Sequence, residues 1–187
     1  NIEPVPHLLC GGFSREETED ALIELNYLGI ENVLALRGDK TFTKALAQDR
    51  SMNLFASDLV HQISDMNQGH YIDELVDAQP TNFCVGVACY PEKHFQAPNL
   101  DFDLDVLKKK QDLGAHYAVT QMFFDTHKYF DYLQKAKQKE ITIPVIPGIK
   151  ILTSKNQLTV LPEIFRLDIP EELRLQMIAA KTREQEI

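Results

Sequence analysis

The residues best suited to chemistry follow short apolar runs in this sequence. Four such runs end in polar or turn residues: Arg37-Gly38-Asp39, Tyr90-Pro91-Glu92, Gln121 with Asp125, and Pro147-Gly148. They offer a guanidinium, carboxylates, an aromatic face and an amide that both donates and accepts hydrogen bonds. Taken alone, Asp39 is more simply explained as a turn or helix-cap aspartate, and Gly38 as a turn glycine. Their chemistry therefore depends on the elements that position them.

The 187 residues alternate apolar runs with longer amphipathic segments. The apolar runs predict strands at residues 5–10, 32–36, 83–88, 117–124 and 143–146. A first helix is predicted from a Ser14/Glu17 capping box to Gly29, and a short one after a similar Ser154/Gln157 pair. The remaining helices are predicted at 54–66, 103–113 and 127–139, and from about Pro170. Strand–helix units in series imply parallel strands joined by right-handed crossovers.

Two folds are built in this way, the doubly wound sheet and the (β/α)8 barrel. Polar residues at the ends of several strands favour the barrel, where function gathers at the C-terminal ends. No Gly-x-Gly-x-x-Gly motif follows any predicted strand, which disfavours a doubly wound dinucleotide-binding fold. A whole barrel needs eight units and roughly 250 residues. We therefore expect one domain, residues 1–187, that is an interior part of an α/β (β/α)8 TIM barrel with about five units present.

Composition narrows the classes of partner and location. The formal net charge of -9 disfavours nucleic acid as a partner, because an acidic surface repels phosphate backbones. No apolar run reaches the roughly 20 residues of a membrane helix, and no secretory signal is visible. The three cysteines lie in apolar runs, which favours reduced thiols in a cytoplasmic protein over a Cys84–Cys89 disulfide or metal pair.

Six short motifs resemble, in order, the signatures of one enzyme family. They are Pro6-His7-Leu8-Leu9-Cys10, Leu34-Ala35-Leu36-Arg37-Gly38-Asp39, Ala56-Ser57-Asp58-Leu59, Tyr90-Pro91-Glu92-Lys93-His94, Thr120-Gln121-Met122-Phe123-Phe124-Asp125 and Ile146-Pro147-Gly148-Ile149. Together they look like methylenetetrahydrofolate reductases and cover nearly the whole chain. Each motif alone would be weak, whereas the ordered set is specific.

The resemblance implies a barrel that binds FAD at the C-terminal ends of its strands. NADH or NADPH would act as co-substrate and reduce the flavin, which then reduces 5,10-methylenetetrahydrofolate to 5-methyltetrahydrofolate in a ping-pong reaction. The family also forms homo-oligomers. Its general acid is a glutamate at the end of the first barrel strand. We expect this chain to begin at the third strand and to lack the last, so no general acid is assigned here.

The resemblance also assigns roles to particular residues. Asp39 is the expected catalytic residue, because a carboxylate beside the flavin opposes negative charge there and attracts a cationic folate intermediate. The expected cofactor-binding residues are His7, Leu36, Arg37, Gly38, Asp39, Phe55, Ala56, Tyr90, His94, Asp103 and Lys110. The expected substrate-binding residues are Asp39, Gln121 and Gln157. The sequence departs from the family at Phe55, often Tyr, and at Leu161, where some relatives have a stacking Phe.

Two alternatives stay open from the sequence. One is another barrel enzyme, such as a lyase or a metal-dependent hydrolase, although the six histidines show no His-x-His pair. The other is a non-catalytic or inactive barrel fragment that binds FAD or folate, because a fold does not guarantee a function. The reductase interpretation predicts that His7, Asp39, Tyr90 and Gln121 converge on one cavity.

Overall fold

The computed structural model describes residues 2–38, 51–74 and 76–180. Strands and helices alternate along most of this chain, as the sequence predicts. In chain order they are β1 (His7–Leu9), α1 (Arg15–Tyr27), β2 (Asn32–Leu36), α2 (Ala56–Asn67), β3 (Cys84–Cys89), α3 (Leu100–Asp112), β4 (Tyr117–Thr120), α4 (Thr126–Gln138), β5 (Val145–Ile146), α5 (Gln157–Phe165) and α6 (Glu171–Ala179).

The five strands form one sheet in the order β1-β2-β3-β4-β5. β1 pairs with β2 and β2 with β3 in parallel, with His7 opposite Leu34 and Leu34 opposite Gly86. A doubly wound sheet reverses its strand order at a switch point, whereas a barrel adds each new strand beside the last. The sequential order therefore confirms the predicted fold class, an α/β chain that forms part of a (β/α)8 barrel.

The two faces of the first strands differ in burial. One face carries Val33, Ala35, Val85 and Val87, each with 0% of its surface exposed. Because side chains alternate along a strand, His7 and its register partners lie on the opposite, less buried face. His7 is exposed, so it is not a core histidine.

The chain divides into two compact units. The first comprises residues 1–88 and 107–118, and the second comprises residues 89–106 and 119–187. In the second unit, Leu158, Leu161 and Met177 belong to a buried apolar cluster beneath α5 and α6.

Several element boundaries match the sequence prediction. β2 spans the predicted residues, and the capping box at α1 is formed by Ser14 and Glu17, whose side chains each accept the other's backbone N–H. Gly29 follows the carboxyl end of α1 with a φ of 72°, the left-handed conformation in which glycine commonly ends helices. These features depend on neighbours within a few residues, which is why the sequence predicts them.

Other predicted boundaries are wrong. β4 stops at Thr120 rather than Phe124, because the Gln121 side chain accepts the Met122 N–H and turns the backbone away. α3 begins at Leu100, since the Asn99 side chain accepts the Phe102 N–H and caps the helix early.

The Ser154/Gln157 capping box is also wrong. α5 begins only at Gln157, and the Gln157 Oε1 accepts the Thr153 N–H at 2.7 Å. Its N-cap, Asn156, makes no side-chain capping hydrogen bond. The start of α5 is thus stabilised by the Gln157 side chain, which accepts the backbone N–H of Thr153 in the turn before the helix.

Candidate functional site

The first unit places the predicted cofactor residues near the carboxyl ends of its strands. Leu36 is the last residue of β2, and Arg37 and Gly38 follow it. Gly38 has a φ of 79°, a conformation in which glycine avoids the strain of other residues. Asp39, the expected catalytic residue, lies outside the described residues, as does much of the following segment, residues 40–50.

Three charged groups influence the Cys10 thiol, which follows β1. Burial and the Asp58 carboxylate raise the pKa of the Cys10 thiol to about 12, while a backbone hydrogen bond and the cations of Arg37 and Lys110 oppose that rise. The Cys10 thiol also donates to the Leu36 carbonyl at 3.3 Å. Arg37 and Lys110 therefore both act on the Cys10 thiol, although they are far apart in the chain.

Lys110 reaches the end of the third strand. Its Nζ donates to the Ala88 carbonyl at 3.0 Å, one residue before β3 ends. A lysine ammonium is an ordinary partner for an anionic group. Phe55 and Ala56 begin α2, with Ala56 buried and 56% of Phe55 exposed. The Asp58 carboxylate caps the start of this helix by accepting the backbone N–H groups of Leu54 and Phe55.

The second unit contains the turn that follows β3. The rings of Tyr90 and His94 meet edge to face, with centroids 4.7 Å apart. The Asp103 carboxylate accepts the His94 N–H at 2.8 Å, so this predicted cofactor residue also has a structural role. The Asp103 bond joins the turn to α3 and fixes where Tyr90 and His94 lie.

Tyr90 and Gln121 line one cleft, which we call the Gln121 cleft. Its walls are residues 90–93 after β3, residues 121–122 after β4 and residues 165–167 at the end of α5, and it is shallow and open to solvent. Gln121 is held by its backbone N–H, which donates to the Cys89 carbonyl at 2.8 Å, and by its bond to Met122. Two residues that the sequence assigns to different ligands thus share one site.

Gln157 is not brought into this cleft. It lies at the start of α5, where its side-chain oxygen is engaged by Thr153. Leu161, at the position of a stacking Phe in some relatives, is 7% exposed and belongs to the apolar core of this unit. The first residues of α5 therefore pack in the core of this unit, whereas its last residue and the two that follow it line the cleft.

A cluster of three charged residues, which the sequence does not predict, stabilises one wall of the Gln121 cleft. Glu92 Oε1 lies 2.6 Å from Lys128 Nζ, and its Oε2 accepts the Asp168 N–H at 2.9 Å. Lys128 also contacts the Asp168 carboxylate at 2.8 Å. Burial alone would lower the pKa of Lys128, but its hydrogen bonds to Asp168 and Glu92 outweigh that effect and raise it. Separations of 36, 40 and 76 residues leave no sequence signal for this cluster.

The described residues offer neither a metal-binding cluster nor a membrane-spanning helix. All three cysteines are free thiols, and the described part of the chain has no cluster of three or more His, Cys, Asp or Glu placed to hold a metal ion. Of the helices in the described ranges, none combines the length and apolar character needed to cross a bilayer.

The fold and the site together define a part of a (β/α)8 barrel with polar residues after its strands and a cleft at the ends of β3 and β4. Comparison with known proteins identifies the particular barrel. The family model described as methylenetetrahydrofolate reductase matches residues 1–187, and this chain belongs to that family.

Curated relatives and a solved structure give the extent of the likeness. Methylenetetrahydrofolate reductase 1 of Schizosaccharomyces pombe is 36% identical over 79% of this chain and 23% of its own length. The 5,10-methylenetetrahydrofolate reductase of Buchnera aphidicola is 32% identical over 92% of this chain and 52% of its own length. The chain thus spans from about a quarter to half of these relatives. A Clostridium thermocellum protein, described as binding two copies of 5-methyl-5,6,7,8-tetrahydrofolic acid, covers 98% of the chain at 15% identity and a TM-score of 0.46, which establishes no relationship.

Proposed function

We propose that the protein containing this chain reduces 5,10-methylenetetrahydrofolate to 5-methyltetrahydrofolate, with FAD as cofactor and NADH or NADPH as electron donor. Membership of the methylenetetrahydrofolate reductase family over residues 1–187 carries this proposal. The shared cleft of Tyr90 and Gln121 supports it, because a ping-pong reductase needs cofactor and substrate residues in one place. The single predicted domain and its place inside the barrel are part of the same proposal.

The described residues of the first unit fit a cofactor with a diphosphate. Arg37 and Lys110 provide two cations near the ends of β1 and β3, and Gly38 keeps the end of β2 free of a side chain. Lysine and arginine are ordinary partners of phosphate. When bound, FAD supplies the hydride chemistry, while these residues bind its anionic part and His7, Leu36, Phe55 and Ala56 supply neighbouring contacts.

In the second unit, Tyr90, His94 and Asp103 are proposed cofactor residues, and Gln121 is a proposed folate residue. Tyr90 offers an aromatic face, and His94 and Asp103 hold the turn that presents it. Gln121 offers an amide whose orientation is fixed by the Met122 N–H, so it can bind the polar edge of a pterin with little loss of side-chain freedom. Gln157 is the weaker assignment, since it does not line the Gln121 cleft.

Asp39 is proposed as the catalytic carboxylate on the basis of the family motif alone. A negative charge beside the flavin would disfavour further negative charge and favour a cationic folate intermediate. Asp39→Asn should therefore slow flavin reoxidation by the folate more than it weakens folate binding. No described residue is proposed as the general acid.

The test uses the full-length protein under anaerobic conditions. NADH or NADPH should bleach the bound flavin, and methylenetetrahydrofolate should restore its absorbance. Gln121→Leu should raise the folate concentration needed for reoxidation, with flavin reduction by the nicotinamide unchanged. Gln138→Leu, on a helix outside the Gln121 cleft, is a matched control that should change neither step. A bound flavin that neither nicotinamide bleaches would refute the proposed function.

Location and assembly are also proposals. Three free thiols suit the reducing cytoplasm, and the family resemblance suggests a homo-oligomer that interacts with neither nucleic acid nor membrane. Light scattering on the purified full-length protein measures the assembly directly. A monomer at micromolar concentration would remove the oligomer from the proposal and leave the enzymatic part standing.

A further inference from the structure

Two cationic residues of the Gln121 cleft have no role in the function proposed above. Lys93 belongs to the turn after β3, and Arg166 follows the last residue of α5. They enter the cleft from different parts of the chain, alongside Tyr90 and Gln121. A cleft with an aromatic face, an amide and two cations has the composition of a site for a ligand that is planar at one end and anionic at the other.

The backbone at both positions is unusual. Lys93 has a φ of 67° and Arg166 a φ of 55°, in the left-handed region that glycine adopts without strain. Residues of this kind cluster at ligand sites, because the surrounding structure maintains the strain. Glycine is the common residue at the left-handed end of a helix. An arginine at the end of α5 places a charge in the cleft at a cost that glycine would avoid.

The acidic groups on this side of the cleft are already engaged. Glu92 is held by Lys128 and by the Asp168 N–H, and Asp168 shares the same lysine. In the described part of the chain, no carboxylate lies within 4.0 Å of the Arg166 guanidinium, and the Lys93 Nζ donates to a neutral acceptor, the Ala97 carbonyl. The cleft lining thus carries two cations, Lys93 and Arg166, and one carboxylate, Glu92, which leaves an excess of positive charge there.

We propose that Arg166, assisted by Lys93, forms an anion-binding subsite of the Gln121 cleft that takes a negatively charged group of a substrate. A guanidinium binds a carboxylate or a phosphate through two parallel hydrogen bonds. The subsite rests on the proposed function, whose two substrates offer these two groups: glutamate carboxylates on the folate and a diphosphate on the nicotinamide nucleotide. Because Gln121, the residue assigned to the folate, lines the same cleft, the folate carboxylate is the expected occupant.

The first experiment separates the two half-reactions of the full-length enzyme. Arg166→Gln should raise the KM for methylenetetrahydrofolate about tenfold, the effect of losing one charge-assisted contact, with kcat changed less. The same variant should be unchanged with the pteroate analogue, which lacks glutamate. A rise confined to NADH or NADPH would assign the subsite to the phosphate instead. No rise with any substrate, or an equal rise with the analogue, would overturn the subsite.

A second variant separates binding from folding. Arg166→Gly removes the charge and also relieves the left-handed backbone, so it should be at least as stable as the parent and still bind poorly. Glu140→Gly is the matched control, since Glu140 has a φ of 57° after α4, outside the cleft, and its substitution should leave substrate KM values unchanged. If Arg166→Gly bound substrate normally, the arginine would have no part in recognition.

Direct binding keeps the test independent of activity. Calorimetric titration of the full-length protein with p-aminobenzoylglutamate, and separately with pyrophosphate, should show binding of at least one, weakened about tenfold in Arg166→Gln and partly restored in Arg166→Lys. If the protein proved not to reduce folates but this pattern held, the proposed function would fail and the subsite would stand. If neither probe bound, or both variants matched the parent, the subsite would be refuted.

Discussion

Replacing Glu92 by Gln should measurably destabilise the full-length protein, because this carboxylate joins three separate segments. Its two oxygens contact the Lys128 ammonium at 2.6 Å and the Asp168 N–H at 2.9 Å. The Glu92 side chain is 12% exposed and that of Lys128 is 35% exposed. Glutamine has the same shape and can still accept the Asp168 N–H, so the substitution chiefly removes the charge that Lys128 faces.

The magnitude follows from these burial values. Breaking a fully buried ion pair by removing one partner costs about 3–5 kcal/mol, whereas an exposed pair contributes about 0.2–1 kcal/mol. Glu92 is nearly buried, but water screens Lys128. We therefore expect Glu92→Gln to lower the free energy of unfolding by about 1–2 kcal/mol, between these limits. Lys128→Met should cost a similar amount, and the double variant should show a coupling of about 1 kcal/mol.

The assay is urea unfolding of the full-length protein, followed by circular dichroism, for the parent, both single variants and the double variant. Asp112→Asn is the matched control, because Asp112 pairs with Lys108 but is 56% exposed, and it should cost less than about 0.5 kcal/mol. Equal losses for Glu92→Gln and Asp112→Asn, or no coupling between Glu92 and Lys128, would refute the reasoning.

The pH dependence of this difference has a definite sign. Hydrogen bonds to Asp168 and Glu92 raise the pKa of Lys128 in the folded protein despite burial. A raised lysine pKa means that the stabilisation is fully present below the ordinary value of about 10.4 and is lost as the pH rises beyond it. The stability difference between parent and Glu92→Gln should thus be constant near neutral pH and shrink in alkali.

Two further predictions concern packing and thiol chemistry. Gly148→Ala should lower the free energy of unfolding by about 2–3 kcal/mol in urea titrations, because a Cβ there would lie 2.3 Å from the Thr120 carbonyl oxygen. Gly29→Ala, in open space with a φ of 72°, should cost only about 1–2 kcal/mol of backbone strain, and equal losses would contradict this. The Cys10 thiol, 3% exposed and with its pKa raised by burial to about 12, should resist alkylation at pH 8 until urea unfolds the protein. Its stabilisation is complete below the ordinary thiol pKa and is lost as the pH rises toward 12, so Cys10→Ala should remove part of the alkaline destabilisation.

The fold could be predicted because its main signals are local. Alternating apolar and amphipathic segments give the order of the elements, and the Ser14/Glu17 box marks the start of α1 within one residue. The errors arise where two local groups compete for the same backbone. Asn99 caps α3 before the predicted start, and the Gln121 side chain ends β4 early. Which side chain accepts a given backbone N–H depends on side-chain geometry, and the amino-acid composition does not reveal it.

The site was predictable only in part. Positions after strands indicate Tyr90 and Gln121, and the structure places both in one cleft. The convergence predicted for His7 and Asp39 with these two residues stays a prediction. The charge cluster of Glu92, Lys128 and Asp168 could not be predicted, because each of its contacts joins distant parts of the chain. Sequence spacing locates residues along elements, whereas the fold decides which distant charges meet.

The ion cluster also decides what Glu92 does in the proposed reaction. Glu92 is the carboxylate of the Gln121 cleft, and a general acid must have an oxygen able to present a proton to the substrate. Both of its oxygens accept hydrogen bonds from the protein, so we infer a positioning role. Loss of a general acid lowers the rate by about 10²–10⁴-fold, whereas loosening one wall of a cleft acts mainly on KM.

Folded Glu92→Gln should therefore reoxidise its flavin with folate at a saturating rate within about tenfold of the parent and with a raised KM. Stopped-flow measurement at a temperature where the variant is fully folded gives both quantities, and the pH profile of the saturating rate should keep the parent's shape. A loss of a hundredfold or more in the saturating rate, together with the loss of one limb of that profile, would show instead that Glu92 carries the proton and that the contacts to Lys128 and Asp168 open during turnover.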